Sequence, residues 1–303
     1  LGEIMSGILE PLRSLLSVPG IRPNMIERAR SLPADALVLD LEDSVPPAEK
    51  EQARALVRDS LAGLALRGQK VFVRVNALST GLIQSDLEAV VGPGLDGISL
   101  PKVESTADVQ QADALVAALE RERGLEVGRI VLIPWIETAR AIIKAVEIAG
   151  SSARLVGVFF GADDFTRDMG IQRSREGSEL FYARSVIAVA ARAAGVLALD
   201  TAFPDFSDEE GLVAEAELAK RLGYRGKFVI HPRQIEPVNR IFQPTSDEID
   251  HAKKVVEAFD AAVAQGHAAT SLDGQMIDIA IAQKARDLLA LAEAVASKES
   301  SAG

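Results

Sequence analysis

IVLIPWIETARAIIKAVEIAG (130–150), followed after a short spacer by LVGVFFGADDF (155–165), is the stretch on which the fold turns. Two apolar runs bracket an Ala-rich helical segment. Each run stops at an acid, Glu137 after the first and Asp163 and Asp164 after the second. Apolar runs without polar alternation mark parallel strands covered on both faces, joined by a crossover helix. Neighbouring parallel strands lie about 5 Å apart, so Glu137 and one acid of the Asp163-Asp164 pair are expected to meet at one end of a sheet. Oxygen-only ligands at two strand ends suit magnesium, which takes one or two carboxylates and leaves its other positions to substrate and water. In a chain with 44 acidic residues, a pair of solvated loop acids is the plainer alternative.

The same alternation runs through the chain. LRSLLSV (12–18), ALVLDLED (36–43), VFVRVN (71–76), GISLPKV (97–103), VLALDTAF (196–203) and GKFVIHP (226–232) are further strand-like runs, separated by amphipathic helical segments. Pro19-Gly20 ends the first strand, Pro23 falls in the first turn of the helix that follows, and Pro46-Pro47 opens the next helix. Eight such units in roughly 240 residues predict a (β/α)8 TIM barrel with a C-terminal helical extension. No GxGxxG turn or P-loop supports an open, doubly wound sheet. The polar residues Glu42, Asp43, Arg74, Lys102, Glu137, Asp164 and His231 gather at strand C-termini, the catalytic face of such a barrel.

The expected division is a barrel over residues 1–245 and a helical segment over 246–303. In the second part Thr245-x-x-Glu248 has the form of a capping box opening a helix to about Val263. A loop is expected from Gly266 to Gly274, a final helix from Met276 to Ala296, and a frayed polar tail, SKESSAG.

With 33 basic and 44 acidic residues the net charge is −11, which argues against a surface built to coat nucleic acid or an anionic membrane. The chain has no Cys, hence no disulfide framework, thiol nucleophile or thiolate metal site. There is no 18-residue apolar run, and the first residues lack a basic then apolar leader pattern. These features predict a cytoplasmic protein that acts on neither membranes nor nucleic acid.

Arg74 stands on an otherwise apolar strand, where a guanidinium needs a partner: an internal carboxylate such as Glu42 or Asp43, or an anionic substrate, the favoured reading. Lys102 has the same two readings. His231, before Pro232, reads as a locally satisfied turn residue with room for a binding contact, while His251 and His267 read as surface residues. Three His, none near a nucleophile-elbow Ser, give a hydrolase triad little support. Asp278, in GQMIDIAIAQ, reads as an acid at a helix N-terminus.

Taken together, RSLLSVPGIRPNMIERA, ALVLDLEDSVPPAEK, VFVRVN, ISLPKVE, IETARA, FFGADDF, IHPRQI and GQMID resemble the citrate lyase beta-subunit-like family, which includes malyl-CoA and citramalyl-CoA lyases. They span Arg13 to Asp278 in the family's order. The resemblance implies a (β/α)8 barrel in homotrimers or hexamers. By matching position, Glu137 and Asp164 hold Mg2+, and Glu137 borders the substrate. Arg74 contacts the acyl carbonyl and carboxylate, and Arg22 and Arg28 hold CoA phosphates. Asp163, Ile230 and His231 line the thioester arm. Asp278 is the general acid/base, reaching over a neighbouring subunit's barrel. Two departures stand out: Ser17 where an aromatic precedes Val18-Pro19-Gly20, and Ile279-Ala280 after Asp278 where the family often has a Pro.

The implied reaction is reversible Claisen-type cleavage of a 3-hydroxy-3-carboxy acyl-CoA (malyl-CoA, citramalyl-CoA or citryl-CoA) to acetyl-CoA and a 2-oxo acid. The alternatives are a malyl-CoA thioesterase, a citrate-lyase-type subunit working on a carrier-bound acyl group, and a non-catalytic CoA-ester-binding protein. A magnesium 2-oxo-acid aldolase without CoA would leave Arg22 and Arg28 unexplained.

Overall fold

Each apolar run pairs in parallel with the next, and the eighth returns to the first. The computed structural model describes residues 11–64 and 66–301; the start examined for a leader, residues 1–10, lies outside them, as do Ala302 and Gly303. The strands of the closed barrel are β1 (Ser14–Pro19), β2 (Ala36–Asp40), β3 (Lys70–Arg74), β4 (Gly97–Leu100), β5 (Val131–Ile136), β6 (Gly157–Phe160), β7 (Leu197–Asp200) and β8 (Gly226–Val229). The (β/α)8 barrel expected from the sequence is the observed fold.

Two-residue periodicity divides every strand between two cores. Leu15, Val38, Phe72, Ile133, Trp135, Phe159, Leu199 and Phe228 fill the bore. Leu16, Leu37, Leu39, Val73, Ile98, Leu132, Val158 and Val229 face the helical ring. Both faces are dry, which is why the runs show no polar alternation. Trp135 stacks on Phe159 at 4.5 Å and meets Phe228 edge-on at 4.8 Å. Gly97 makes room for this filling: a Cβ there would lie 2.5 Å from the Phe72 ring.

Charge is also buried, in the layer between barrel and helices. Asp200 and Lys227 alternate with bore-facing Leu199 and Phe228, so both point outward. Lys227 Nζ lies 2.6 Å from Asp200 and 2.6 Å from Glu215. Arg184 pairs with Asp200 at 2.9 Å and Glu215 at 3.0 Å, and Arg173 with Glu215 at 2.9 Å. This network fastens β7 and β8 to the helices Phe181–Ala194 and Glu209–Leu222.

Leu12–Phe242 form one compact unit, and the chain from Gln243 belongs to a second. In the second, the Thr245/Glu248 capping box starts a helix over Ser246–Ala264. The region expected as loop and then helix is different. Thr270–Leu272 and Gln275–Ile277 pair antiparallel as β9 and β10, and the last helix begins only at Ile279. Asp273 and Gly274, with φ of +49° and +81°, supply the left-handed turn pair a two-residue hairpin requires. Ile277 therefore packs with Val255, Phe259, Ala282 and Ala285 in the unit's own core. The tail expected to fray continues as helix to Ser301. Among the described residues no helix is long and apolar enough to cross a membrane.

The buried network makes stability depend on acid pH. Burial opposes the Glu215 charge, but Lys227, Arg184 and Arg173 hold its carboxyl far below the usual range. A depressed folded pKa contributes stability that is complete above the unfolded value, about 4.3, and is lost as pH falls below it. Glu215→Gln is expected to cost about 3–5 kcal/mol at neutral pH, by leaving buried Lys227 and Arg184 to share the single carboxylate of Asp200. It should also flatten the fall in urea midpoint between about pH 5 and pH 3.

Candidate active site

Strand order sets the rim. Asp40 and Arg74 end β2 and β3 in register with one another. Arg74 donates from Nε to Asp40 Oδ1 at 2.8 Å and from Nη2 to Oδ2 at 2.7 Å, a two-pronged pair. Asp40 also accepts the N–H groups of Glu42 (2.8 Å) and Ser44 (3.1 Å). Burial works against the Asp40 charge, yet the guanidinium and these donors hold its carboxyl below the usual range. The Arg74 guanidinium lies 5.6 Å from the Trp135 ring centroid, and Trp135 Nε1 donates to Ser99 Oγ at 2.7 Å. An aromatic floor thus lies beneath a cation whose orientation is fixed.

Glu42 follows β2. Its Oε2 lies 3.3 Å from Arg74 Nη1, and Lys102 Nζ lies 2.5 Å from its Oε1. Lys50 braces the turn from behind, donating to the Leu41 and Glu42 carbonyls at 2.6 and 2.7 Å. Burial outweighs the two cations and raises the Glu42 carboxyl above its usual range.

Across the rim, Glu137 follows β5 on the bore side, two residues beyond Trp135. It is 3% exposed. Burial, and after it the charge of Asp164, pushes its carboxyl up to about 8. One hydrogen bond opposes this, from the Lys102 N–H to Glu137 Oε1 at 2.7 Å. Asp164 sits in the first turn of the helix Ala162–Met169, 21% exposed and 2.7 Å from Arg167. Gly161 separates the two acids, and a Cβ there would collide with the Glu137 carboxyl.

These features fit a hard cation. Two mutually repelling carboxylates lie together, and the almost fully buried one, Glu137, has no ion-pair partner among the described residues, while Asp164 has only the exposed Arg167. The glycine keeps the space around the Glu137 oxygens clear, and the donors are oxygen alone. No group of three or more His, Cys, Asp or Glu is placed to hold a metal among the described residues. The protein would therefore supply only two ligands, as magnesium sites that also bind substrate oxygens commonly do.

A second arc of the rim carries the other sequence candidates that belong to the barrel. Asp163 is 64% exposed and pairs with Arg173 at 3.0 Å. Ile230 is exposed just past β8. His231 Nδ1 accepts the Arg233 N–H at 3.2 Å, and its ring stacks on Phe206 at 4.7 Å. Arg22 and Arg28 lie exposed at the start and within the helix Pro23–Ala29 after β1, the strand beside β8. Asp278 belongs to the second unit, where its Oδ1 accepts the Ile281 N–H at 3.0 Å and caps the last helix. Met276 and Ile279 on either side of it are exposed.

Sequence reasoning missed Asp40, Lys50 and the Trp135–Ser99 pair. Asp40 is hidden in the sequence because the apolar run ALVLDLED reads as one strand to Asp43, so that the later acids look like strand ends. The signal was present in its strand-final place next to Arg74.

The HpcH/HpaI aldolase/citrate lyase family model matches residues 13–232. The citrate lyase subunit beta of Escherichia coli K12 is 43% identical over 281 residues, 93% of this chain and 93% of its own. The L-malyl-CoA/beta-methylmalyl-CoA lyase of Cereibacter sphaeroides is 37% identical over 307 residues, covering 95% and 96%. The crystal structure of CitE from Mycobacterium tuberculosis with magnesium, acetoacetate and coenzyme A superposes with a TM-score of 0.75. It is 32% identical and covers 94% of this chain and 98% of its own.

The raised Glu137 carboxyl has a testable consequence. A carboxyl whose folded pKa is raised carries no penalty below the unfolded value of about 4.3, a growing one as pH approaches 8, and a constant one above. Glu137→Gln keeps an acceptor for the Lys102 N–H. In chelator it is expected to melt several degrees above the parent at about pH 8, and with it at about pH 4. Magnesium should raise the parent's melting temperature and leave the variant's unchanged.

Proposed function

The chain belongs to the HpcH/HpaI aldolase/citrate lyase family, a family of lyases, and from that premise we propose that it is a magnesium-dependent carbon–carbon lyase. Its reaction is the reversible cleavage of a 3-hydroxy-3-carboxy acyl-CoA of the malyl-CoA, citramalyl-CoA or citryl-CoA type to acetyl-CoA and a 2-oxo acid. The observation that carries this reading is the buried Glu137 carboxyl, without an ion-pair partner among the described residues and beside Asp164, near a clamped Arg74 over an apolar floor.

Glu137 and Asp164 would hold the magnesium, which when bound supplies Lewis acidity at the substrate's hydroxyl and carboxylate oxygens. In cleavage the hydroxyl gives up its proton to solvent, its oxygen becomes the carbonyl of the 2-oxo acid, and the pair from the broken carbon–carbon bond leaves an enolate on the thioester. Arg74 would stabilise the charge developing on that oxygen, and since Asp40 already fixes its Nε and Nη2, no reorientation is needed during the reaction. Asp278 would protonate the enolate carbon, or remove that proton in condensation. Exposed Arg22 and Arg28, in no ion pair among the described residues, suit the phosphates of CoA. Asp163, Ile230 and His231 would line its arm. Asp278 lies outside the barrel unit, so the active form is proposed as a trimer or hexamer in which residues 246–303 cover a neighbour's barrel. The absence of Cys accords with the cytoplasm.

A second reading rests on the 43% identity with the E. coli citrate lyase subunit beta: a subunit that cleaves an acyl group borne on a carrier protein. Mass spectrometry of the isolated protein with malyl-, citramalyl- and citryl-CoA, with and without magnesium, separates the two. Free acetyl-CoA and a 2-oxo acid, formed only with magnesium, are expected. Activity solely with a carrier-bound acyl group favours the second reading. Free CoA without acetyl-CoA marks a thioesterase, and binding without turnover a sensor. Asp278→Asn is expected to lower kcat by about a thousandfold while calorimetry shows magnesium and CoA-ester affinities almost unchanged. A near-normal rate would remove Asp278 from the mechanism.

A further inference from the structure

Lys102 ends the β4 rim in a conformation that L residues avoid. Its φ is +52°, and among the described non-glycine residues only Asp273 of the hairpin shares that region. The left-handed region costs a residue with a Cβ about 1–2 kcal/mol. Such outliers persist where surrounding bonds over-determine them. Here there are two kinds of bond. The backbone N–H donates to Glu137 Oε1 at 2.7 Å. The ammonium lies 2.5 Å from Glu42 Oε1 and 3.4 Å from Asp43 Oδ1.

Glu42 therefore faces two cations at unequal distances. Lys102 pairs closely with Oε1, whereas Arg74 Nη1 makes only a longer pair, 3.3 Å, with Oε2. Arg74 meanwhile commits Nε and Nη2 to Asp40. A guanidinium gripped by two carboxylates has little positive potential left for a third anion. Resting on the lyase reading above, we propose that Lys102 is a positioning residue for that reaction: it takes up the charge of Glu42, so that Arg74 Nη1 stays available to the substrate oxygen on which charge develops. In the same conformation its N–H holds Glu137. Without the ammonium, buried Glu42 closes on Nη1, and Arg74 becomes an internal ion-pair residue.

The test separates charge balance from support of the fold. Lys102→Met and Lys102→Gly are expected to lower kcat about 30-fold while the CoA-ester KM changes less than about threefold. Magnesium affinity by calorimetry should stay near the parent's in both, since the N–H remains. Lys102→Gly, freed of the φ penalty, should melt no lower than the parent. Lys102→Arg should recover kcat to within about fivefold. Glu42→Gln added to Lys102→Met should restore most of the lost kcat, because a neutral amide no longer competes for Arg74. Simple support would instead give additive losses in the double variant. Undiminished kcat in Lys102→Met, or no rescue by Glu42→Gln, overturns the inference alone. A parent that cleaves none of the three CoA esters overturns the lyase reading and the inference with it.

Discussion

The burial of Glu137 beside Asp164 is the constraint on which the rim depends. A carboxyl group 3% exposed would keep its proton unless something stabilises the anion. The protein supplies one backbone N–H, from Lys102, and a second carboxyl whose charge makes matters worse. That arrangement stores a demand for positive charge at one point of the bore mouth. Its other features follow from the demand. Gly161 leaves out the Cβ that would displace the carboxyl. Trp135, two residues earlier on the same bore-facing side, excludes water from below. Lys102 accepts an unfavourable φ to aim its N–H.

On the neighbouring strands the same problem is solved in reverse. Arg74 is a cation in an apolar bore, and Asp40 answers it with both oxygens while two backbone N–H groups answer Asp40. The Arg184–Asp200–Lys227–Glu215 network outside the barrel is likewise closed upon itself. Arg173 links that network to the rim, binding Glu215, the Ala202 carbonyl and Asp163. The helix start that carries Asp164 is thus tied, through neighbouring Asp163, to the buried charged layer outside the barrel. In a structure whose other described buried charges are nearly all matched, the unpaired Glu137 beside Asp164 is a functional signal of the kind expected at a catalytic centre.

Much of this was legible in the sequence because strand ends and bore faces follow from hydrophobic pattern alone. The eight strands, their order and the gathering of Glu137, Asp164, Arg74 and Lys102 at one rim needed no more than apolar runs and their terminal residues. Partner choice was less accessible. Whether Arg74 meets Asp40, Glu42 or a ligand depends on register, and register cannot be read from either strand separately. The β9–β10 hairpin was misjudged for a related reason. An apolar run such as QMIDIAIAQ fits a helix by content, and only the Asp273-Gly274 turn, with its left-handed dihedrals, tells against it.

The state of the rim also bears on where the proton in a carbon–carbon cleavage comes from. A side chain that moves a proton cannot at the same time be the counter-charge of a fixed ion pair, since losing the pair would then be part of every turnover. Asp40, Glu42 and Asp163 are each so committed, and His231 has its Nδ1 engaged by a backbone N–H. Asp278 is differently placed. Among the described residues its side chain bonds only the Ile281 N–H, through Oδ1, and exposed Met276 and Ile279 flank it. In the proposed reaction an acid on a separate unit, oriented by a helix start and bordered by apolar side chains, would act on the carbon with water excluded. The proposed chemistry asks for that division, with fixed charge on the barrel and proton transfer assigned to Asp278.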